Sequence, residues 1–159
     1  MSRLTYCKGW FRAKKVALEP YTAEQARRRH ESGDLYCVLV GFPEAPTAFL
    51  EIVRGSVGVS WLDERLRETL SYNFQALESA RLFLTMAVAR EFVGQSEQVA
   101  QGTVYTFSPA GAVAIRREMF SPSHRVELAD SSQDVSGNWE PLPEFGEYSS
   151  LLQVDRASC

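Results

Sequence analysis

The sequence is poor in the residues that build metal centres and disulfide frameworks. It carries two histidines, His30 and His124, and three cysteines, Cys7, Cys37 and Cys159. The cysteines are odd in number and show no CxxC spacing, so a zinc ribbon or a paired-thiol motif lacks the arrangement it needs. A reducing compartment keeps such residues as thiols. No stretch approaches the roughly 18 consecutive apolar residues of a membrane-spanning helix. The first residues, Met1-Ser-Arg-Leu-Thr, lack the apolar h-region of a secretory signal. The expected compartment is the cytoplasm, with no membrane contact. Also missing are the phosphate-cradling GxxxxGK[ST] and GxGxxG patterns, the hydrolase GxSxG and the metalloprotease HExxH. The expectation is therefore a protein that is not an enzyme and holds no cofactor or metal.

What is present suits one globular domain: 159 residues, 45% hydrophobic, 11% aromatic and 23% charged. The net charge of −3 hides a segregation. Residues 1–30 hold eight basic and two acidic side chains, whereas residues 118–159 hold two basic and eight acidic. Such halves imply either a charged partner or attraction between the two ends of the chain.

Residues 4–12 mix aromatic and β-tolerant side chains and predict a first strand, with Gly9 as a bulge or close-approach point. A further extended piece, residues 15–18, stops at Pro20. Thr22-Ala-Glu-Gln25 has the form of a capping box. It predicts a helix over residues 23–31, ended by Gly33. The apolar run from Leu35 to Phe42 reads as a strand buried on both faces, followed by two pairing strands at 48–53 and 57–61. Residues 62–92 are ambiguous. Leu62, Leu66, Leu70 and Phe74 recur every four residues, which allows a second helix near 62–70, while Tyr72, Phe74 and Ala76 alternate. A turn or short helix near 63–68 and a strand over 69–75 are preferred. From 81 to 92, Leu82, Leu84, Met86, Val88 and Phe92 line one face of an extended chain, with Arg90 the exception, while Ala87 and Ala89 permit a helix too. Ser108-Pro-Ala-Gly111 between two β-rich runs predicts a hairpin.

After Phe120 the composition shifts to Ser, Pro and acidic residues. The expected division is a core domain over 1–120 and an irregular, acidic C-terminal segment over 121–159, packed on the core or on a partner. The expected fold class is α+β: an antiparallel sheet with one or two short helices and that irregular segment.

Among candidate nucleophiles, Cys37 reads as a buried structural thiol, and Cys7 has Lys8 and Arg12 nearby. His124 reads as a surface histidine and His30 as part of a solvated basic face. Arg27 to Arg29, Lys14 and Lys15, with Tyr6, Trp10 and Phe11, supply ingredients of single-strand nucleic-acid binding. The overall pI of about 5.5 weighs against that reading. The acidic segment offers more. Asp134, Trp139, Glu140, Glu144, Phe145, Glu147 and Tyr148 combine negative charge with bulky anchors, the features that give a protein inhibitor its on-rate and residence time. The same aromatics would equally serve by packing on the protein's own core. Trp61, Asp63 and Glu64 make a second candidate patch.

Trp61-Leu-Asp-Glu-Arg-Leu-Arg67, Ser71-Tyr-Asn-Phe-Gln75, Arg81-Leu-Phe-Leu-Thr-Met-Ala87 with Arg90-Glu-Phe92, and Gly102-Thr-Val-Tyr-Thr-Phe with Pro109-Ala-Gly111 together resemble small bacterial immunity proteins of polymorphic toxin systems, over residues 56–118. That resemblance implies a small cytoplasmic α+β protein that binds a cognate toxin domain and occludes its active site. It transfers no residue roles. The alternatives are a nucleic-acid or small-ligand binding module, and a small enzyme using Cys7 or His124 with a carboxylate.

Overall fold

The computed structural model describes residues 3–78 and 80–156, so Cys159 lies outside the described residues. The chain opens with the hairpin β1 (Leu4–Phe11) and β2 (Val16–Tyr21), followed by α1 (Ala23–Ser32). A long meander follows: β3 (Tyr36–Phe42), β4 (Ala45–Val53), β5 (Ser56–Leu62), β6 (Glu68–Glu78), β7 (Arg81–Phe92), β8 (Val99–Phe107), β9 (Ala112–Met119) and β10 (Arg125–Ser132). All pairings are antiparallel, in the order β10-β9-β8-β7-β6-β5-β4-β3-β1-β2. A short β11 (Trp139–Pro141) pairs with the beginning of β7. Among the described residues the architecture is mostly antiparallel sheet with one α-helix.

Local chemistry sets the helix. The Thr22 hydroxyl accepts from the Gln25 amide at 3.1 Å, and the Thr22 amide donates back to the Gln25 side chain at 2.8 Å. Gly33 closes the helix at φ +77°, a left-handed conformation that favours glycine. One sheet face carries the main core. Tyr36, Val38, Leu50, Val57, Val59, Tyr72, Phe74, Leu82 and Leu84 are buried there, with α1 contributing Ala26 and the C-terminal segment contributing Val135, Tyr148 and Leu151. The opposite face has a smaller cluster of Cys7, Trp10, Cys37, Leu39 and Phe49, against which Ala17, Leu62 and Leu66 pack.

Four expectations change. Residues 121–159 are not irregular throughout, because 125–132 form a regular strand, and a boundary at 120 falls inside the β9–β10 hairpin. The alternation of Val126 and Leu128 with Arg125 and Glu127 is the period-two signal, overlain by the Ser and Asp residues around it. The region 62–70 holds no second helix. Asp63 folds a turn there, its carboxylate accepting from the amides of Arg65 and Arg67. In β7 the apolar residues do not share a face: the register shifts between Asn73 and Phe74 of β6, so Leu84 faces Phe74 while Met86 faces Asn73. Leu82 and Leu84 are consequently buried, and Met86 is exposed. Finally, β1 and β2 keep one register through Gly9, and Pro20 sits within β2, a sheet edge where its missing donor costs no ladder bond.

Candidate functional site

A cleft with exposed apolar residues lies where three distant segments meet. The end of α1 supplies His30 and Glu31, the following turn Gly33 and Asp34, the β4–β5 turn Val53 and Arg54, and the C-terminal segment Leu142 and Pro143. The cleft holds about 180 Å³. Val53 and Leu142 in its lining are exposed, as is Leu35, between the lining residues Asp34 and Tyr36 in the chain. The Arg54 guanidinium donates to the Ser32 carbonyl at 2.7 Å and so fixes the turn after α1 against the β4–β5 turn.

The floor is a hydrogen-bonded row of rings. His30 Nδ1 lies 2.7 Å from the Tyr36 hydroxyl, which lies 3.0 Å from the Tyr148 hydroxyl. Burial pulls the His30 pKa down, and the two hydroxyls and the imidazole share the hydrogen bonds of this row. Burial, reinforced by Tyr148, raises the Tyr36 pKa, and the same two causes push Tyr6 up to about 12. These phenols hold their protons across the physiological range. The reading of His30 as part of a solvated basic face is corrected: it is half-buried, and its ring meets Tyr36 and Phe145.

The aromatic residues of the acidic segment all turn toward the protein itself. Trp139 meets Phe83 edge-on, and the Arg81 guanidinium lies over the Trp139 ring. Phe145 stacks on Tyr6 at 5.1 Å and lies beneath Arg27 at 4.7 Å. Tyr148 is buried. Glu140 is buried too and pairs with Arg156, whose side chain also donates to the carbonyls of Gly137 and Ser150. Glu144 and Glu147 are exposed. Asp134 is exposed and accepts from the Ser136 amide. Among the described residues, Glu31, Asp34, Glu144 and Glu147 make no ion pair, whereas six of the basic side chains of residues 1–30 are engaged. Arg12 pairs with Glu51 and Glu68, Lys15 with Glu97 and Arg28 with Glu24. Arg3, Arg27 and Arg29 lie over the rings of Phe42, Phe145 and Tyr21.

The second candidate patch is not brought to the cleft. Trp61 is packed edge-on against Tyr72, and Asp63 is held by Arg67 at 2.8 Å, while Glu64 is exposed. These residues sit at the far end of β5 from Val57, which lines the cleft. The thiols are elsewhere again. Cys7 and Cys37 face each other across the β1–β3 ladder, both buried. Cys37 is raised by its contact with Cys7 and by burial. His124 is exposed and lies 2.7 Å from Glu118. Among the described residues no group of three or more His, Cys, Asp or Glu could hold a metal ion, and no helix is long and apolar enough to cross a membrane.

Sequence reasoning missed Glu31, Asp34, Leu35, Val53 and Leu142 as a set. The helix stop at Gly33 was readable, but nothing local announces that residues 142–143 fold back beside it. No family model matches the chain, and no curated protein and no solved structure matches it.

Proposed function

We propose that the chain is an immunity protein, a binding protein rather than an enzyme, that neutralises a cognate bacterial toxin domain in the cytoplasm by covering its active site. The observation that carries the reading is a pair of exposed carboxylates on the cleft lining, Glu31 and Asp34, without ion-pair partners among the described residues and beside the exposed Val53 and Leu142, with the equally unpaired Glu144 next in the chain to the lining residue Pro143. An acidic rim accelerates encounter with a basic, phosphate-handling site, and desolvated apolar groups at the centre slow dissociation. In this reading the aromatics Trp139, Phe145 and Tyr148 and the buried Glu140 shape and hold the surface. Glu144, Glu147 and Asp134 present charge directly. Trp61, Asp63 and Glu64 would form a separate secondary contact. No cofactor is required.

The experiment is co-expression with the toxin domain encoded by the adjacent gene. The intact protein is expected to protect growth and to co-purify with the toxin. The variant Asp34→Lys with Glu144→Lys is expected to fold normally and lose about tenfold or more in association rate. Failure of the intact protein to bind or protect refutes the reading.

A further inference from the structure

On the sheet face opposite the main core, β7, β8 and β9 hold a second groove. Val88 follows the buried core residue Ala87 and so points to this face, as does its β8 neighbour Val104. One row further along, Gly102 lies in β8 between Arg90 of β7 and Glu118 of β9. Phe120 closes the apolar wall and is 46% exposed. The groove holds about 520 Å³, within the roughly 300–1,000 Å³ of small-molecule sites. It shares no residue with the cleft at the end of α1.

Nothing in the fold asks for glycine at 102. Its backbone is not left-handed, and a Cβ there would meet no heavy atom closer than the Ala89 carbonyl oxygen, at 3.9 Å. Glycine inside a strand forfeits stability and often marks the close approach of another molecule. What the missing side chain does here is open the groove down to the backbone.

The charges of the lining are Arg90, Arg116 and Glu118. Arg116 pairs with Glu118 at 2.8 Å, and Glu118 also meets His124 at 2.7 Å. Arg90 makes no ion pair among the described residues, and its Nη1 is buried without a hydrogen-bond partner. On its other side Arg90 borders a smaller cavity whose carboxylates, Glu68 and Glu97, are held by Arg12 and Lys15. The guanidinium is therefore the one charge of the groove lining that the fold leaves uncompensated. A planar cation beside an apolar wall suits a carboxylate that carries a hydrocarbon body.

We propose that this groove binds a small amphipathic carboxylate, an alkyl or aryl carboxylic acid in its ionised form. The carboxylate pairs with Arg90, and the hydrocarbon body lies over Gly102 between Val88, Val104 and Phe120.

The test is an amide NMR titration of the full chain with octanoate, and with octanol as its uncharged match. Octanoate is expected to give saturable shifts centred on Gly102 and Arg90, and octanol to bind about tenfold more weakly or less. Arg90→Met is expected to bring octanoate down to the level of octanol. Gly102→Val is expected to keep or raise the melting temperature, since the strand gains a β-branched residue in open space, and to abolish the shifts from both probes. Absence of saturable shifts around Gly102 overturns the proposal, as do equal affinities for octanoate and octanol, or undiminished binding to Gly102→Val. Shifts at Gly102 on diluting the protein alone would make a second copy the occupant and overturn it too.

Discussion

His30 shows how one side chain joins three segments. Its ring lies in α1, its hydrogen bond goes to Tyr36 in β3, and through that hydroxyl it reaches Tyr148 in the C-terminal segment. The folded pKa is depressed by burial below the ordinary 6.5. The unfolded chain therefore binds the proton more readily in the interval between the two values. This contribution to stability is fully present above the ordinary value and shrinks as the pH falls below it. Urea unfolding midpoints should fall as the pH drops from neutrality through that interval, and His30→Gln should flatten this part of the profile. A slope identical in both proteins would contradict the role given to His30. Tyr148→Phe removes one buried hydroxyl partner and should cost about 1 kcal/mol in the same measurement. The sequence named Tyr148 as a bulky group with a purpose, but a phenol suits a core and an interface equally. Its direction is decided by Tyr36, more than a hundred residues away, which no local pattern encodes.

Among the elements, the C-terminal segment is the one whose reading changed most. It is anchored by the three-residue β11, by the Trp139 and Phe83 rings, by the buried Asn138 amide donating to the Leu84 carbonyl, and by Glu140 with Arg156. Both members of that ion pair are nearly inaccessible, at 9% and 6% exposure. Removing one partner leaves the other charged and buried, so Arg156→Ala should destabilise by about 3 kcal/mol or more, and Glu140→Ala similarly. The double variant Glu140→Leu with Arg156→Met should recover much of that loss. Equilibrium denaturation of the three proteins measures the difference, and strictly additive losses would show that the pair is not coupled. Elements marked by local chemistry were legible: the Thr22–Gln25 capping box, the Gly33 stop, the apolar β3 and the Ser108–Gly111 turn. Elements that depend on their neighbours were not. The shift in β7 comes from its pairing with β6, and it turns Met86 away from the core although the sequence alternates regularly.

At the scale of the whole molecule, the separation of charge has a partial explanation inside the fold. The basic beginning and the acidic end of the chain meet where Arg27 covers Phe145 and where Leu142 and Pro143 lie beside the end of α1. Arg12 and Lys15 are satisfied by Glu51, Glu68 and Glu97 from the middle of the chain, while Glu31 and Asp34 on the cleft make no ion pair among the described residues. The sequence made the acidic third visible as a place to look, and its composition was enough for that. It could not show that the large apolar groups there fold inward, or that the exposed ones come from Leu35, Val53 and Leu142 on three different segments. In the proposed function this acidic rim receives a basic toxin site. The most direct measurement is the association rate of the full chain with the toxin domain of the adjacent gene, taken across a range of salt concentrations. Binding is expected to be fast and to slow steeply with salt, with a flattened salt dependence in Asp34→Lys with Glu144→Lys. Binding that is insensitive both to salt and to these two reversals would contradict it.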